Sequence, residues 1–214
     1  MAIRLLPYRQ YNESDVLNLY YMGTTEGLDN PATQGDNAAG VVVSVLDGDL
    51  NDDPVRMFDG LSEDPRKQHG SPIGRNSYPV AHGYLRSTRT NTERPIGITL
   101  NQTLKLDENG EPLLYNPTKQ TELQAVLPYQ AVPVVSKGIF TLAADAFWTG
   151  HTYAIGTNLG FGIQTTQKGL LTNHDEHPGF AVGNAYSVGT IIGTGSRAAG
   201  DGYAGNYYMV KLDF

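Results

Sequence analysis

The sequence predicts an all-β fold: an antiparallel β-barrel or β-sandwich with an extended N-terminal arm and long loops. From Ala131 onward the chain consists of short runs of β-branched and aromatic residues separated by glycines. Turn signals recur there about every 8–12 residues, which is the spacing of a sandwich or small barrel. No stretch of this half has the apolar period of roughly 3.6 residues that a long helix requires.

Residues 1–39 are predicted to form the arm. Proline, glycine and asparagine interrupt the segment so often that no regular element can run far, apart from a short helical turn at 14–21 with Ser14 as its N-cap. The segment is nevertheless rich in apolar residues, unlike a disordered tail. We therefore expect it to lie on its own domain or on a neighbouring subunit. The candidate capsid or intersubunit contact residues are Ile3, Leu5, Leu6, Tyr8, Tyr11, Leu17, Leu19, Tyr20, Tyr21 and, further along the chain, Trp148.

Residues 40–214 are predicted to form a single β domain. The run VVVSVL at 41–46 is β-branched almost throughout, which favours a strand. A short helix is expected at 121–127, ended by Pro128, and a long polar loop at 59–77. The other predicted strands are 55–58, 80–87, 96–106, 132–135, 138–142, 151–155, 161–165, 180–182, 187–192 and 207–212.

The composition excludes several classes of protein. Without cysteine the chain has no disulfide, no thiol nucleophile and no cysteine-ligated metal. Its net charge of −7 repels nucleic acid and anionic membranes, so we expect neither as a partner. The N-terminus lacks the pattern of a signal peptide, and no window approaches the roughly 18 apolar residues that span a bilayer.

The acidic loop at 47–53 resembles a calcium-binding loop only in part. Asp47, Asp49 and Asn51 place oxygens at the first, third and fifth positions, as a hard cation prefers. The match then fails, because Asp52 stands in place of the required glycine and Phe58 in place of the bidentate glutamate. We expect a solvated acidic turn and no bound metal or other cofactor, and these three oxygen donors are the candidates should a cation bind.

The remaining motifs do not assemble a catalytic site. His174 and His177 lie three residues apart, but Pro178 makes this segment a loop, and the pattern is not that of a zinc protease. The segment 193–200 is glycine-rich, yet no helix follows it and no Gly-Lys-Ser/Thr occurs. We therefore predict no enzyme, although loop residues that meet only in space stay open. Trp148 is expected to be a packing anchor, with a sugar platform or an interface hot spot as alternatives.

Four segments follow one another in a distinctive order. They read Ile-Gly-Ile-x-Leu at 96–100, Val-x-Val-x-x-x-Gly-Ile-x-x-Leu at 132–142, Gly-x-x-Tyr-x-x-Gly at 150–156 and Val-Gly-x-Ile-Ile-Gly-x-Gly at 188–195. In this order they resemble the head decoration, or cement, proteins of tailed bacteriophages. The resemblance covers residues 40–214.

The resemblance implies a β-barrel or sandwich on the outer surface of a phage capsid, often as a trimer, made in the host cytoplasm. Such a protein clamps neighbouring major capsid subunits against the pressure of packaged DNA and catalyses no reaction. The expected partners are the major capsid protein and further copies of this chain in a homotrimer. The alternative is a receptor- or glycan-binding β module of a virion fibre or spike, which would need exposed aromatic platforms.

Overall fold

The protein is built from two main β-sheets, which confirms the all-β prediction. The computed structural model describes residues 4–21, 38–46, 84–87, 93–104, 106–107, 109–127, 130–176, 187–200 and 203–214. The strands predicted at 55–58 and 180–182 and the loop at 59–77 lie outside these residues. One sheet is open and has six strands, and the other closes into a five-stranded barrel.

The open sheet is antiparallel throughout, in the order β1-β9-β13-β12-β10-β11. Its long central strands, β12 and β13, form a hairpin in which Ile191 faces Val210, with a bulge between Ile191 and Gly193. The bulge adds one residue to β12 and bends that strand locally. The strands of this sheet are β1 (Leu5–Gln10), β9 (Lys137–Ala143), β10 (Asn158–Phe161), β11 (Leu171–Asn173), β12 (Gly189–Arg197) and β13 (Gly205–Asp213).

The barrel runs in the order β2-β4-β3-β5-β8 and closes by pairing β8 with β2. All of its pairs are antiparallel except β2 with β4. Its strands are β2 (Val16–Tyr21), β3 (Val42–Leu46), β4 (Tyr84–Ser87), β5 (Pro95–Thr99) and β8 (Ala131–Val135).

The continuous valine runs of β3 and β8 are explained by burial on both strand faces. Val43 and Val134 belong to a core cluster that also contains Leu19 of β2 and, from outside the barrel strands, Val126. Their neighbours Val42 and Val135 point the other way, into a second and larger cluster that includes Phe140 and Val210 of the open sheet. Because residues on both faces of these strands are buried, the alternation expected of a half-buried strand is absent, and exposure is confined to strand ends such as Val45 and Ala131. The two sheets therefore share one hydrophobic core.

Residues 102–127 form a small unit beside the barrel, here called the 102–127 unit, and its Val126 packs in the core cluster of the barrel. Two short parallel strands, β6 (Gln102–Thr103) and β7 (Ala125–Val126), hold its two ends together. Between them lie a 3-10 turn at Leu113–Tyr115 and the only helix of the described residues, α1 (Pro117–Glu122). This helix is too short to span a membrane, so no membrane-spanning helix occurs in the part of the chain described here.

The structure corrects the prediction of an N-terminal arm for residues 4–21. These residues supply β1, an edge strand of the open sheet, and β2, which closes the barrel. The predicted helical turn at 14–21 is likewise wrong, since only Glu13–Asp15 forms a 3-10 turn. Pro7 lies in the edge strand β1, where a missing N–H costs no hydrogen bond within the sheet.

Other boundaries differ from the prediction because local contacts outweigh propensity. The helix lies at Pro117–Glu122, earlier than predicted, since Pro117 and its N-cap residue start it. Residues 151–155 form a loop and not a strand, and the predicted strand at 161–165 is displaced to Asn158–Phe161. The predicted strand at 96–106 breaks into β5 and β6 after Thr99.

Candidate protein-contact site

The 102–127 unit is held by its own small core. Leu104, Leu113, Ala125 and Leu127 are buried together, and Leu123 packs against them. At the tip of the unit, the carboxylate of Asp107 accepts hydrogen bonds from the backbone N–H groups of residues 109 and 111, each at 2.8 Å. These bonds fix a tight turn, and a β-bridge between Leu106 and Pro112 closes it.

The 3-10 turn at Leu113–Tyr115 buries one of its two leucines and exposes the other. In the sequence Leu113-Leu114-Tyr115 the first residue enters the small core, while the next two face outward. The segment then ends at Asn116, whose side-chain oxygen accepts a hydrogen bond from Lys119 N at 3.2 Å and caps α1. Between α1 and β7 the chain reverses at Gln124, which adopts a positive φ of 48°.

Three large apolar side chains of this unit are exposed, and we call them the apolar group: Leu106, Leu114 and Tyr115. Their exposed fractions are 50%, 57% and 82%. The bridge from Leu106 to Pro112 brings Leu106 next to the segment that carries the other two. Apolar side chains held outward on a rigid frame are typical of protein interfaces, and tyrosine is a frequent hot-spot residue there.

The charged residues around the apolar group are mostly acidic. Among the described residues of the unit these are Asp107, Glu111 and Glu122, against the basic Lys119. On the exposed helix, Lys119 and Glu122 form an ion pair of 3.6 Å, one turn apart. Such surface pairs contribute about 0–1 kcal/mol to stability. This unit therefore offers a partner apolar contact with acidic side chains beside it.

Two of the contact residues predicted from the sequence are buried within this chain. Leu6 and Leu19 are almost completely covered, so they stabilise the two sheets and are not available to a partner. The prediction of a surface contact is wrong for them. Leu5 is partly buried, because it packs against the larger core cluster.

Three others are exposed as a contact residue must be: Tyr8, Tyr11 and Leu17. The Tyr11 ring is stacked on Phe140 with centroids 5.9 Å apart, so one of its faces is already occupied. The backbones of Tyr20 and Tyr21 lie in β2, and nothing is described of their side chains. Ile3 lies outside the described residues.

Trp148 is half-buried beside the open sheet. Its backbone N–H donates to Leu171 O at 2.9 Å, and its carbonyl accepts from the Tyr153 hydroxyl at 2.8 Å. A Cβ at Gly150 would lie 2.6 Å from the indole nitrogen, so glycine makes room for the ring. Both hydrogen bonds are made by the backbone of Trp148, and the role of its ring as a packing anchor stays a prediction.

The cation candidates Asp47, Asp49 and Asn51 lie outside the described residues, as does His177. His174 is described, and its Nδ1 lies 3.3 Å from the carboxylate of Asp175. The described residues contain no group of three or more histidine or acidic side chains that could hold a metal ion.

The aromatic residues on the loop at 147–153 form a cluster with the open sheet. Phe147 is buried and meets Tyr153 and Tyr208 edge-on, with ring centroids 5.0 and 4.8 Å away. Burial of the Tyr153 hydroxyl, with smaller contributions from Tyr208 and Glu176, raises the pKa of Tyr153 well above its usual range. Tyr153 is therefore protonated at neutral pH, and its hydroxyl donates to Trp148 O.

The sequence interpretation missed the apolar group. Its signal is the run EPLLYNPT, in which three apolar residues are flanked by proline and asparagine. Such a short run does not show which of its residues enters a core, and only the fold of the 102–127 unit separates Leu113 from Leu114 and Tyr115.

Comparison with known proteins finds no match for this chain among protein-family models, curated proteins or solved structures.

Proposed function

We propose that this protein is a non-enzymatic structural protein of a virion that binds the outer surface of a phage capsid. In this role it joins neighbouring major capsid subunits and acts as a homotrimer. The capsid contact is made by the apolar group of the 102–127 unit. The observation that carries the proposal is the outward exposure of Leu114 and Tyr115 on a unit with its own core.

The rigid frame favours this role over a chance exposure of apolar residues. The turn at Asp107, the cap at Asn116 and the pairing of β6 with β7 each fix the backbone around the apolar group. A preformed contact loses little conformational entropy on binding, so more of the contact energy remains as affinity. A protein that must resist outward pressure benefits from such a stiff contact.

The charge of the chain and the arrangement of motifs also support the proposal. A net charge of −7 keeps the protein away from packaged DNA and favours an outer position. Three of the four segments that resemble cement proteins lie on strands: β5, β8 with β9, and β12. On a symmetric lattice, weak contacts made by one oligomer reinforce one another, because each later contact forms within the same assembly.

The test is co-sedimentation of the full-length protein with shells assembled from the major capsid protein of the phage that encodes it. We expect Tyr115→Ser and Leu114→Ser each to reduce occupancy, and the double variant to abolish it. Ile192→Ser is the matched control, since Ile192 is 42% exposed but lies on β12 of the open sheet. If the double variant occupies the shells as fully as the wild type, the apolar group is not the capsid contact. If the wild type itself does not bind the shells, the proposed function is refuted.

Native mass spectrometry of the isolated protein tests the homotrimer separately. A trimer whose mass does not change on addition of a chelator is the expected result. A monomer both in solution and on the shells would contradict the trimer and leave a single-copy clamp.

A further inference from the structure

An open groove of about 590 Å³ lies beside the β12–β13 hairpin, near the loop that connects its two strands. Thr194 pairs with Tyr208 across the two strands, and Ser196 pairs with Asn206. Directly paired residues share one face of a sheet, so these four side chains line the same side. The loop that carries Tyr153 and Ile155 forms the opposite wall. We call this the tyrosine groove.

The two aromatic rings that line the groove, Tyr153 and Tyr208, are held in place by contacts beneath them with Phe147. Tyr153 and Tyr208 lie 5.7 Å apart and are tilted by 58° to each other, and both rest on the buried Phe147 ring. The Tyr153 hydroxyl is directed to Trp148 O at 2.8 Å, which turns that phenol inward. The two rings are therefore preorganised, half-exposed apolar surfaces, and Ile155, 67% exposed, extends them.

The polar part of the groove is free to bind a ligand. Within the described residues, no hydrogen bond engages the side chains of Thr194, Ser196, Asn206 or the Tyr208 hydroxyl. These groups offer three hydroxyls and one amide, each of which both donates and accepts. No charged side chain of the described residues lines the groove.

We propose that the tyrosine groove binds a neutral saccharide. A sugar ring presents C–H faces that pack on aromatic and aliphatic side chains, and hydroxyls at its edge that exchange hydrogen bonds with hydroxyl and amide groups. The groove supplies both in one place: Tyr208 and Ile155 for the faces, and Thr194 with Asn206 for the edge. A phosphate or carboxylate ligand would require cationic partners, and none is found among the described residues that line the groove.

The site is independent of the capsid contact. The tyrosine groove belongs to the open sheet and the loop at 153–155, whereas the apolar group belongs to the 102–127 unit. A protein held on a capsid by one surface would still present a saccharide site on another, and the full-length chain in isolation suffices for the test.

The test uses glucose, galactose and N-acetylglucosamine as neutral probes and glucuronate as the anionic probe, followed by saturation-transfer NMR and titration at millimolar concentration. We expect at least one neutral sugar to bind and glucuronate to bind more weakly. Thr194→Val and Tyr208→Phe each remove one hydroxyl without loss of shape, and each should weaken binding about fivefold, the effect of one net hydrogen bond.

The matched controls are Thr190→Val and Tyr207→Phe, in which the same residue types lie on the opposite face of the same strands. They should bind the sugar as the wild type does, and equal unfolding midpoints of the four variants show that each is folded. The proposal is overturned if no neutral sugar binds, if glucuronate binds best, or if the control variants lose binding as strongly as those of the groove.

Discussion

Gly97 of β5 lies where the backbone of β5 closely approaches β8 in the barrel. A Cβ at this position would overlap the carbonyl oxygen of Val135 and lie 2.8 Å from a methyl group of Val134. Because the obstacle includes backbone, a larger residue forces the two strands apart. We predict that Gly97→Ala destabilises the protein by about 2 kcal/mol, as overpacking does in other cores.

The measurement is the urea unfolding midpoint, with Gly193→Ala as the control. Gly193 also lies in a strand, but a Cβ there would meet only Met209 Cβ, at an ordinary 3.5 Å. That variant should be neutral or slightly stabilised, since alanine restricts the unfolded chain. If both variants lose the same stability, the close approach of Gly97 to β8 is contradicted.

Leu17 and Leu19 form a second matched pair, two positions apart on β2. Leu19 is 8% exposed and belongs to the barrel core, whereas Leu17 is 45% exposed. We predict that Leu19→Ala costs about 2–5 kcal/mol in unfolding free energy, as buried leucines do. Leu17→Ala should cost less than about 1 kcal/mol. Both side chains point to the same side of β2, so similar losses, measured by urea unfolding, would contradict the difference in burial between the two positions.

Tyr153 should make stability depend on alkaline pH. Its pKa is raised in the folded protein, from a usual value of 10.0, chiefly by burial. Above that usual value the unfolded state loses the phenolic proton while the folded state keeps it, so unfolding becomes easier as pH rises. The stabilising contribution is thus complete below pH 10 and declines above it.

The corresponding experiment compares the urea midpoint of the wild type and Tyr153→Phe between neutral pH and the alkaline range. The wild type should lose more stability than the variant as pH rises. Parallel curves would show that Tyr153 ionises in the folded state as readily as in the unfolded one.

Among the elements, β1 is an integral strand of the open sheet and not a detachable arm. It pairs with β9 at Leu142, Phe140 and Ile139, two of which are fully buried. We predict that deletion of residues 1–10 uncovers this strand and lowers the urea midpoint. Binding of a dye that recognises exposed apolar surface should increase in the truncated protein. An unchanged midpoint would show that β1 only rests on the sheet.

The sequence predicts best those strands that carry buried residues on both faces. The valine runs of β3 and β8 are buried on both faces, so their composition alone marks them as strands. The N-terminal strands are harder to predict, because their pairing partners, β9 and β8, lie more than a hundred residues away in the chain. Pro7 in β1 is acceptable only at a sheet edge, and a sequence does not show where the edges lie.

The sequence predicts a strand at 151–155, where the structure has a loop, because the partners of this segment are also distant in the chain. Its backbone is bound by side chains and not by a neighbouring strand: Glu176 accepts from Thr152 N at 2.9 Å, and the Asn173 side chain donates to Thr152 O at 2.8 Å. Both partners are about twenty residues away. The same limit applies to the apolar group, where the fold of the 102–127 unit alone decides which residue is exposed.

At the scale of the whole molecule, the barrel and the open sheet should unfold together. Val42, Ile98 and Val135 of the barrel pack in one cluster with Phe140 and Val210 of the open sheet. We predict a single transition in urea, with coincident curves from Trp148 fluorescence, which reports on the open sheet, and from far-UV circular dichroism, which reports on both sheets. Two separated transitions would contradict a shared core.

The same cohesion is what the proposed capsid clamp needs, because the 102–127 unit lies in the chain between β5 and β8, whose Ile98 and Val135 belong to the core shared with the open sheet. The measurement that tests this function most directly is a cryo-electron microscopy map of phage shells saturated with the protein. We predict density on the outer surface, in groups of three across the junctions of major capsid subunits, with Leu114 and Tyr115 against the shell. Shells without outer density, or bound copies whose 102–127 unit points to solvent, would contradict it.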